Sequence, residues 1–324
     1  EETTNIAIHV TYCGQPVSDA DVILSFNIGG SFSTTSGITD TNGFATFFFT
    51  APQTSIPLNV TITATAMKSG YIEGEKQTQI RVEPKTFDIN IIAQPNALTS
   101  EEVATITVYV THNGTPAENA NVTMALDMAG EFLSITGNTD PLGNVTFVFT
   151  APAVSEEKSI VIVVTATKLG YAVCNGSTTV SVGPGELTAL VIVDSFEIAP
   201  EKNSSITVYV KQNEKPISNA IVSVTAEAGV FSEVTGLTNS SGYCSFLFTA
   251  PKTTAERTIT IVANATKFGY ISDEGRATIR VTPEEVGWWS ITTILLIVVP
   301  IVITAIVAIL IKLKIIVLSF REED

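Results

Sequence analysis

The tripeptide Thr-Ala-Pro occurs three times at nearly equal spacing, and this repetition constrains the fold more than any other feature of the chain. The three copies begin at Thr50, Thr150 and Thr249, so the intervals are 100 and 99 residues. Repeats that stack as solenoids are shorter, about 20–50 residues. A unit of about 100 residues matches one independently folding domain. The sequence therefore predicts three similar domains in tandem, an arrangement that favours holding, spacing or adhesion over catalysis.

Within each repeat, apolar residues alternate with polar or small residues. The segment from Asn121 to Leu126 places Val122, Met124 and Leu126 on one side, a period of two that is typical of a strand with one buried face. Turn-forming residues such as those at 39–43 separate the alternating segments. The same alternation precedes each Thr-Ala-Pro copy, at Phe47 and Phe49, Phe147 and Phe149, and Phe246 and Phe248. Short alternating strands predict an antiparallel sandwich of about seven strands per repeat.

Three motifs recur in outline in every repeat. In the first repeat they are Gly14-Gln15-Pro16-Val17 with Ala20 and Val22, Thr39-Asp40 with Gly43 and Phe47, and the run at 60–66. This pattern resembles the bacterial Ig-like domains of the invasin and intimin type, over nearly all of residues 1–284. The resemblance implies a β-sandwich of the kind used in stalks, spacers and adhesin shafts. Similar tandem domains also occur in archaeal surface proteins, and the third repeat departs from the pattern at Lys215 and Asn239.

These observations predict an all-β chain of three tandem Ig-like β-sandwich domains followed by one C-terminal transmembrane helix. The expected boundaries are 1–84, 85–183 and 184–285 for the domains, 286–311 for the helix and 312–324 for a short cytoplasmic tail. The second and third domains begin with strand-like segments at 87–93 and 187–193, whereas the first domain lacks its first strand. Because no signal peptide precedes the first repeat either, we expect the chain to be part of a longer precursor.

The C-terminal region carries a membrane-spanning pattern. Residues 288–311 contain no charged side chain, and as a helix they would span about 36 Å, enough for a bilayer core of about 30 Å. The basic end predicts a cytoplasmic C-terminus, extracellular repeats and a single pass through the cell membrane. A cleaved C-terminal sorting signal is the alternative. The expected anchor residues are Trp288 and Trp289 at one interface, Pro300 as a kink near the middle, and Lys312 and Lys314 at the other interface.

Eight Asn-x-Ser/Thr sequons in the repeats support the extracellular placement. On the expected strand register, Asn59, Asn121, Asn144 and Asn264 face outward, where a glycan could be attached. We therefore predict N-linked glycans on this protein. The full set of candidate acceptors is Asn59, Asn113, Asn121, Asn144, Asn175, Asn203, Asn239 and Asn264.

Charge and cysteine usage exclude some classes of partner and crosslink. The net charge is −15, and an acidic surface repels phosphate backbones, so no nucleic-acid binding is expected. The three cysteines, Cys13, Cys174 and Cys244, fall at different repeat positions, whereas a disulfide framework would recur with the domain. A bridge between Cys174 and Cys244 is an open alternative, and packing of Cys244 as a small apolar residue is the favoured interpretation.

No pattern predicts a catalytic, cofactor-binding or metal-binding residue, and no cofactor is expected. His9 and His112 lack companion ligands at metal-binding spacing, so we interpret them as a surface residue and a turn residue. Asp40 begins a segment that resembles a calcium loop, but the required oxygen ligands do not follow, and a hairpin turn is predicted. A corner that packs or hydrogen-bonds is predicted for the tyrosines that follow glycine in every repeat, Tyr71, Tyr171 and Tyr270.

Three functions are compatible with this organisation. The favoured one is a membrane-anchored extracellular structural or adhesive stalk that spaces or presents a partner at the cell surface. The alternative is an anchoring or accessory subunit of a larger membrane or envelope complex, such as a surface-layer lattice. Both imply other surface or envelope proteins as partners. A receptor or an enzyme is disfavoured, because the tail at 312–324 has no room for a signalling domain and no catalytic constellation is visible.

Overall fold

The computed structural model describes residues 2–128, 130–283 and 294–313. The chain is all-β and Ig-like, with one C-terminal apolar helix, so the predicted fold class is confirmed. By compactness it divides into two units. Unit 1 comprises Glu1–Gly185 with Phe268–Ile271, and unit 2 comprises Glu186–Lys267 with Ser272–Asp324. The described strands nevertheless form three pairs of sheets, and the number and boundaries of the domains stay predictions.

Sheet pair 1 lies in unit 1 and consists of antiparallel strands. One sheet has the order β1-β7-β5, the other has the order β6-β4-β8-β9, and β2 pairs with β3. The strands are β1 (Thr3–His9), β2 (Thr11–Tyr12), β3 (Gln15–Pro16), β4 (Asp21–Phe26), β5 (Ser31–Phe32), β6 (Ser36–Ile38), β7 (Phe44–Thr50), β8 (Leu58–Met67) and β9 (Gly74–Val82).

Sheet pair 2 also lies in unit 1 and has two five-stranded sheets. One has the order β10-β12-β17-β15, with β13 added to β12, and the other has the order β11-β19-β18-β14-β16. The pairing of β11 with β19 is parallel, and the other pairings are antiparallel. The strands are β10 (Asp88–Gln94), β11 (Ala97–Thr99), β12 (Val103–His112), β13 (Thr115–Pro116), β14 (Asn121–Leu126), β15 (Glu131–Phe132), β16 (Thr136–Asn138), β17 (Asn144–Thr150), β18 (Lys158–Thr167) and β19 (Cys174–Gly183).

Sheet pair 3 lies in unit 2 and repeats the topology of sheet pair 2. Its sheets have the orders β21-β23-β28-β26, with β24 added to β23, and β22-β31-β29-β25-β27. A separate two-stranded sheet pairs β20 with β30, and Gly185 of β20 and both residues of β30 belong to unit 1. The strands are β20 (Gly185–Glu186), β21 (Thr188–Val193), β22 (Glu197–Ile198), β23 (Asn203–Gln212), β24 (Lys215–Pro216), β25 (Ile221–Ala226), β26 (Val230–Phe231), β27 (Thr235–Leu237), β28 (Tyr243–Thr249), β29 (Arg257–Thr266), β30 (Tyr270–Ile271) and β31 (Asp273–Val281).

The alternating pattern of the sequence reappears as alternating burial. On β14, Val122 and Met124 are buried, as predicted. On β17, Phe147 and Phe149 are buried while Thr146 between them is exposed. Since neighbouring side chains of a strand point to opposite faces of the sheet, this pattern fixes the register of each strand. Each sheet pair therefore encloses its own apolar core.

A threonine at the start of each predicted turn holds that turn to the core. Thr139 is buried, accepts a hydrogen bond from the Ala120 amide at 2.8 Å and donates its own to the Ala117 carbonyl. Thr39 and Thr238 make the same two bonds in sheet pairs 1 and 3. The next residue closes the turn, as when Asp40 Oδ1 accepts from the Asn42 and Phe44 amides at 2.9 and 2.8 Å. A turn is therefore present at Asp40, but the prediction of a hairpin is wrong, because β6 and β7 on either side of it belong to different sheets.

The described part of the C-terminal region is helical. A π-helical segment, Ile294–Val298, continues into α1 (Val299–Lys312). Pro300 lies in the first turn of α1, where a residue without an amide hydrogen is best tolerated. The Thr304 hydroxyl lies 2.9 Å from the Pro300 carbonyl and 2.9 Å from the Ile301 carbonyl, so its hydrogen bond stays inside the helix. No residue of α1 is buried.

The three cysteines are free thiols, and each has a different environment. Cys13 is exposed, Cys174 is half-buried and Cys244 is buried. The Cys174–Cys244 bridge considered from the sequence is therefore not formed. Cys244 belongs to the buried apolar residues, as the favoured interpretation expected. Burial also raises the pKa of Cys244.

Candidate functional site

An aromatic cluster fastens the linker that follows β9 to sheet pair 2, within unit 1. We call it the aromatic joint, and it consists of Lys85, Phe87, His112, Lys168 and Tyr171. The rings of Phe87 and Tyr171 stack with centroids 4.3 Å apart and planes 4° apart. The ammonium groups of Lys85 and Lys168 each lie 5.8 Å from the centroid of the Tyr171 ring, within the range of cation–π attraction. Tyr171 therefore packs at a corner, as predicted.

His112 takes part in this joint. Its Nδ1 lies 2.7 Å from the Thr86 carbonyl, and since a carbonyl only accepts, Nδ1 carries the hydrogen. Its ring meets Tyr171 edge-on, with centroids 5.5 Å apart. The interpretation of His112 as a mere turn residue is therefore wrong: the side chain ties the segment before β10 to the end of β12. His9, by contrast, is exposed as expected and stacks on Phe44.

Backbone hydrogen bonds reinforce the aromatic joint. The Lys85 amide donates to the Gly170 carbonyl at 3.0 Å, and the Ala172 amide donates to the Lys85 carbonyl at 2.8 Å. Lys85 and Tyr171 thus form a parallel β-bridge. Gly170 itself lies against Gln53, whose Cβ would be 3.7 Å from a Cβ added at the glycine. The loop between β18 and β19 is therefore held by the linker and lies beside Gln53, the residue after the Thr-Ala-Pro of sheet pair 1.

Tyr270 makes a polar contact within unit 1. Its hydroxyl donates to Glu101 Oε2 at 2.7 Å. Burial, followed by the hydrogen bond and negative charge of Glu101, raises the pKa of Tyr270. The phenol consequently stays a neutral donor at physiological pH, so the predicted hydrogen-bonding role of this tyrosine is confirmed. Tyr71 differs: it is 46% exposed and touches Tyr12 edge-on, with centroids 5.3 Å apart.

A cleft of about 530 Å³ opens beside the aromatic joint. Its charged lining is Glu2, Arg81, Glu83 and Lys85, and Arg81 and Glu83 form an exposed ion pair. His112 also lines the cleft, but no serine or cysteine does. Nowhere in the described residues do three or more His, Cys, Asp or Glu side chains come together as a possible metal site. The lining of the cleft thus carries charges of both signs. It contains no serine or cysteine side chain that could act as the nucleophile in acyl transfer.

The structure places seven of the eight sequon asparagines at exposed positions. Asn144 on β17 is the exception, because it is half-buried and its Oδ1 is covered without a hydrogen-bond partner in the described structure. The outward placement expected for Asn144 is therefore only partly met. The exposed ones are Asn59, Asn113, Asn121, Asn175, Asn203, Asn239 and Asn264. Asn239 is also committed to its turn, since its Oδ1 accepts from the Ser241 and Tyr243 amides.

The anchor predicted from sequence is partly described. Within the described residues, one helical stretch, Leu295–Lys312, is long and apolar enough to cross a membrane, with a mean hydropathy of 2.9. Lys312 lies in the last turn of α1, where a cation is favoured by the helix dipole. Trp288, Trp289 and Lys314 lie outside the described residues.

Comparison with known proteins identifies similar folds only among solved structures. No family model and no curated protein matches the chain. The D0–D1 domains of intimin are 17% identical over 60% of this chain and 97% of that chain, with a TM-score of 0.25. The Yersinia pseudotuberculosis adhesin InvE is 16% identical over 60% of this chain and 58% of that chain, with a TM-score of 0.31. Invasin, a bacterial integrin-binding protein, is 15% identical over 87% of this chain and 60% of that chain, with a TM-score of 0.33.

These similarities concern the Ig-like fold alone, because the identities and TM-scores are low. The match spans less than two thirds of the InvE and invasin chains. The resemblance to invasin-type and intimin-type domains inferred from the motifs agrees with these structures.

Proposed function

We propose that this protein is a membrane-anchored surface stalk that spaces or presents a partner outside the cell. The observation that carries the proposal is the aromatic joint, where the linker that follows the first repeat is fastened to the second repeat by a β-bridge and a cation–π contact of Lys85 with Tyr171. A chain that only needed independent binding modules would be served by a flexible linker. A linker that is held against the following repeat instead limits how far consecutive repeats can bend relative to each other.

The linker itself supports this proposal. It contains Pro84, whose ring fixes one backbone dihedral angle, and Lys85, whose amide and carbonyl are both hydrogen-bonded to the β18–β19 loop. Few free torsions remain between β9 and β10. Bending at Lys85 would break two backbone hydrogen bonds.

The exposed helix and the acidic, sequon-rich surface supply the rest of the proposal. The stretch Leu295–Lys312 would anchor the chain in the cell membrane, with the repeats outside and the C-terminus in the cytoplasm. N-linked glycans would occupy exposed sequons, and other surface or envelope proteins would be the partners. No enzymatic activity is part of the proposal.

A spacing function can be tested with a donor dye near the N-terminus and acceptor lipids in the bilayer. Cys13 is an exposed thiol in sheet pair 1 and can carry the dye once Cys174 and Cys244 are replaced by alanine. For the full chain in lipid nanodiscs we expect little energy transfer to the acceptor lipids. Deletion of residues 85–183 should raise the transfer. High transfer in the full chain, or no change on deletion, would contradict a spacing role.

Two further measurements test topology and partnership. Protease added to intact cells should remove the repeats and leave a fragment that contains Leu295–Lys312. Protection of the repeats would refute the extracellular assignment. Gentle detergent extraction should recover the chain without fixed stoichiometric partners, whereas a defined complex would favour the accessory-subunit alternative.

A further inference from the structure

One end of sheet pair 3 lies where the chain leaves for the C-terminal helix. At this end β31 finishes at Val281, and Pro283 is the last described residue before the helix. The uncharged run that contains the helix begins at Trp288, so residues 284–287 separate it from Pro283. That length of chain can span at most about 18 Å. A chain anchored through this run therefore keeps this end of sheet pair 3 close to the bilayer surface.

Four strands of one sheet each have an exposed lysine or apolar side chain at this end. Their order across the sheet is β21, β23, β28 and β26. Phe196, which follows β21, is 75% exposed, and Val230, which begins β26, is 65% exposed. Lys202, which precedes β23, and Lys252, which follows β28, are exposed as well. We call Phe196, Lys202, Lys252 and Val230 the basal row.

Sheet pair 2 has different residues at the same four positions. Strand register and backbone hydrogen bonds give each member of the basal row an equivalent there. For example, the Phe196 carbonyl accepts a hydrogen bond from β31, as the Asn96 carbonyl does from β19. The equivalents are Asn96 for Phe196, Glu102 for Lys202, Ala153 for Lys252 and Glu131 for Val230. Where sheet pair 2 has two acids, an amide and an alanine, sheet pair 3 thus has two lysines and two larger apolar side chains.

Lysines and apolar side chains on one surface match the headgroup region of a bilayer. A lysine can lay its stem along the less polar layer while its ammonium group reaches the lipid phosphates. A phenylalanine leaves water when it enters the boundary between headgroups and acyl chains, which is favourable. The Ile198 carbonyl accepts from the Thr282 amide at 3.0 Å, so β22 holds the Phe196 loop to the end of β31. The Phe196 ring is therefore presented from a fixed backbone.

We propose that the basal row rests on the surface of the bilayer in which the chain's own helix is anchored. Phe196 and Val230 enter the boundary between headgroups and acyl chains, and Lys202 and Lys252 contact the lipid phosphates. Because exposed Glu201 offsets part of the positive charge, the contact does not require anionic lipids. This inference rests on the proposed membrane anchor and adds a second point of attachment to it.

The full chain in phosphatidylcholine nanodiscs provides the test, with tryptophan emission quenched by lipids that carry a nitroxide on the headgroup. Phe196→Trp is made in a background where Trp288 and Trp289 are replaced by phenylalanine, so that the new indole emits alone. The matched control is Leu237→Trp in the same background, because Leu237 is 61% exposed and lies at the opposite end of sheet pair 3. The ends are about 30 Å apart along β29, so we expect quenching of Phe196→Trp to be at least about threefold stronger.

Charge reversal tests the contribution of the lysines. Lys252→Glu in the Phe196→Trp protein should lower the quenching by at least about half, because it replaces attraction to the phosphates by repulsion. Lys215→Glu makes the same change at an exposed position of the opposite end, and it should leave the quenching unchanged. In the chain without substitutions, Lys252 should react with a water-soluble amine reagent more slowly than Lys215.

The native tryptophans distinguish failure of this contact from failure of the anchor. In the chain without substitutions, quenching of Trp288 and Trp289 reports insertion of the helix. If these two are not quenched, the membrane anchor is refuted and the basal contact with it. If they are quenched but Phe196→Trp is quenched no more than Leu237→Trp, the basal contact alone is refuted. Equal effects of Lys252→Glu and Lys215→Glu, or equal reactivity of the two lysines, would overturn the lysine contacts.

Discussion

Replacing Thr139 by valine removes a hydroxyl but keeps the shape of the side chain, and this makes it a sharp test of the turn anchor. Thr139 is 2% exposed, and its hydroxyl satisfies the Ala120 amide and the Ala117 carbonyl. In the variant both backbone groups would be buried without a partner. Each such group costs about 1–3 kcal/mol, and the extra apolar surface of valine offsets part of this. We therefore expect sheet pair 2 to lose about 2–4 kcal/mol of stability.

The assay must report on one sheet pair at a time, because tandem repeats need not unfold in a single transition. Amide hydrogen exchange of the full chain, read by mass spectrometry on peptides from β14 and β17, meets this need. A loss of about 2–4 kcal/mol corresponds to exchange faster by roughly 30- to 800-fold. Peptides from β29 in sheet pair 3 should not change.

Two companion variants separate the hydrogen bonds from other effects. Thr139→Ser keeps the hydroxyl and loses one methyl group, so it should cost about 1 kcal/mol. Thr146→Val lies on the exposed face of β17 and should stay within about 0.5 kcal/mol of the wild type. If Thr139→Val exchanged no faster than Thr139→Ser, the hydroxyl could not be what holds the turn to the core.

Three other outcomes can be checked. Phe147→Ala should cost about 3–5 kcal/mol, whereas Thr146→Ala should cost less than about 0.5 kcal/mol, and similar exchange rates in the two variants would show that the register of β17 is wrong. A maleimide at neutral pH should modify exposed Cys13 well before buried Cys244, whose pKa is raised by burial, and equal rates would contradict the described core. In a host with N-glycosylation, the mass of the expressed protein should exceed the polypeptide mass of 34.4 kDa, and Asn144 should be the least modified sequon. A mass equal to that of the bare polypeptide would count against the surface assignment.

Sequence reasoning predicted the strands well, because a period of two is a local property of the chain. The alternation of neighbouring residues was enough to assign Val122 and Met124 to a buried face. Asn42 and Gly43 were enough to predict the turn at Asp40. The threonine before that turn was visible as a repeated residue. The hydrogen bonds of this buried threonine were not predicted. In the second repeat, for example, the partners of Thr139 lie 19 and 22 residues away along the chain.

The aromatic joint could not be predicted in the same way. His112 contacts Thr86, 26 residues earlier, and nothing in its local sequence distinguishes it from a turn residue. Asn144 shows a related limit, since period-two reasoning gives the face of a strand but not the side chains that cover it.

The β-bridge between Lys85 and Tyr171 has a consequence for the order of events during synthesis. Its two partners are 86 residues apart in the sequence, so the linker emerges from the ribosome long before the loop that will hold it. Contacts of such high sequence separation form late, after the local strands of each repeat. The first repeat can therefore complete its own fold while the linker is still loose. The linker becomes stiff only when the second repeat is nearly complete. Until then the growing chain can still bend between its first two repeats.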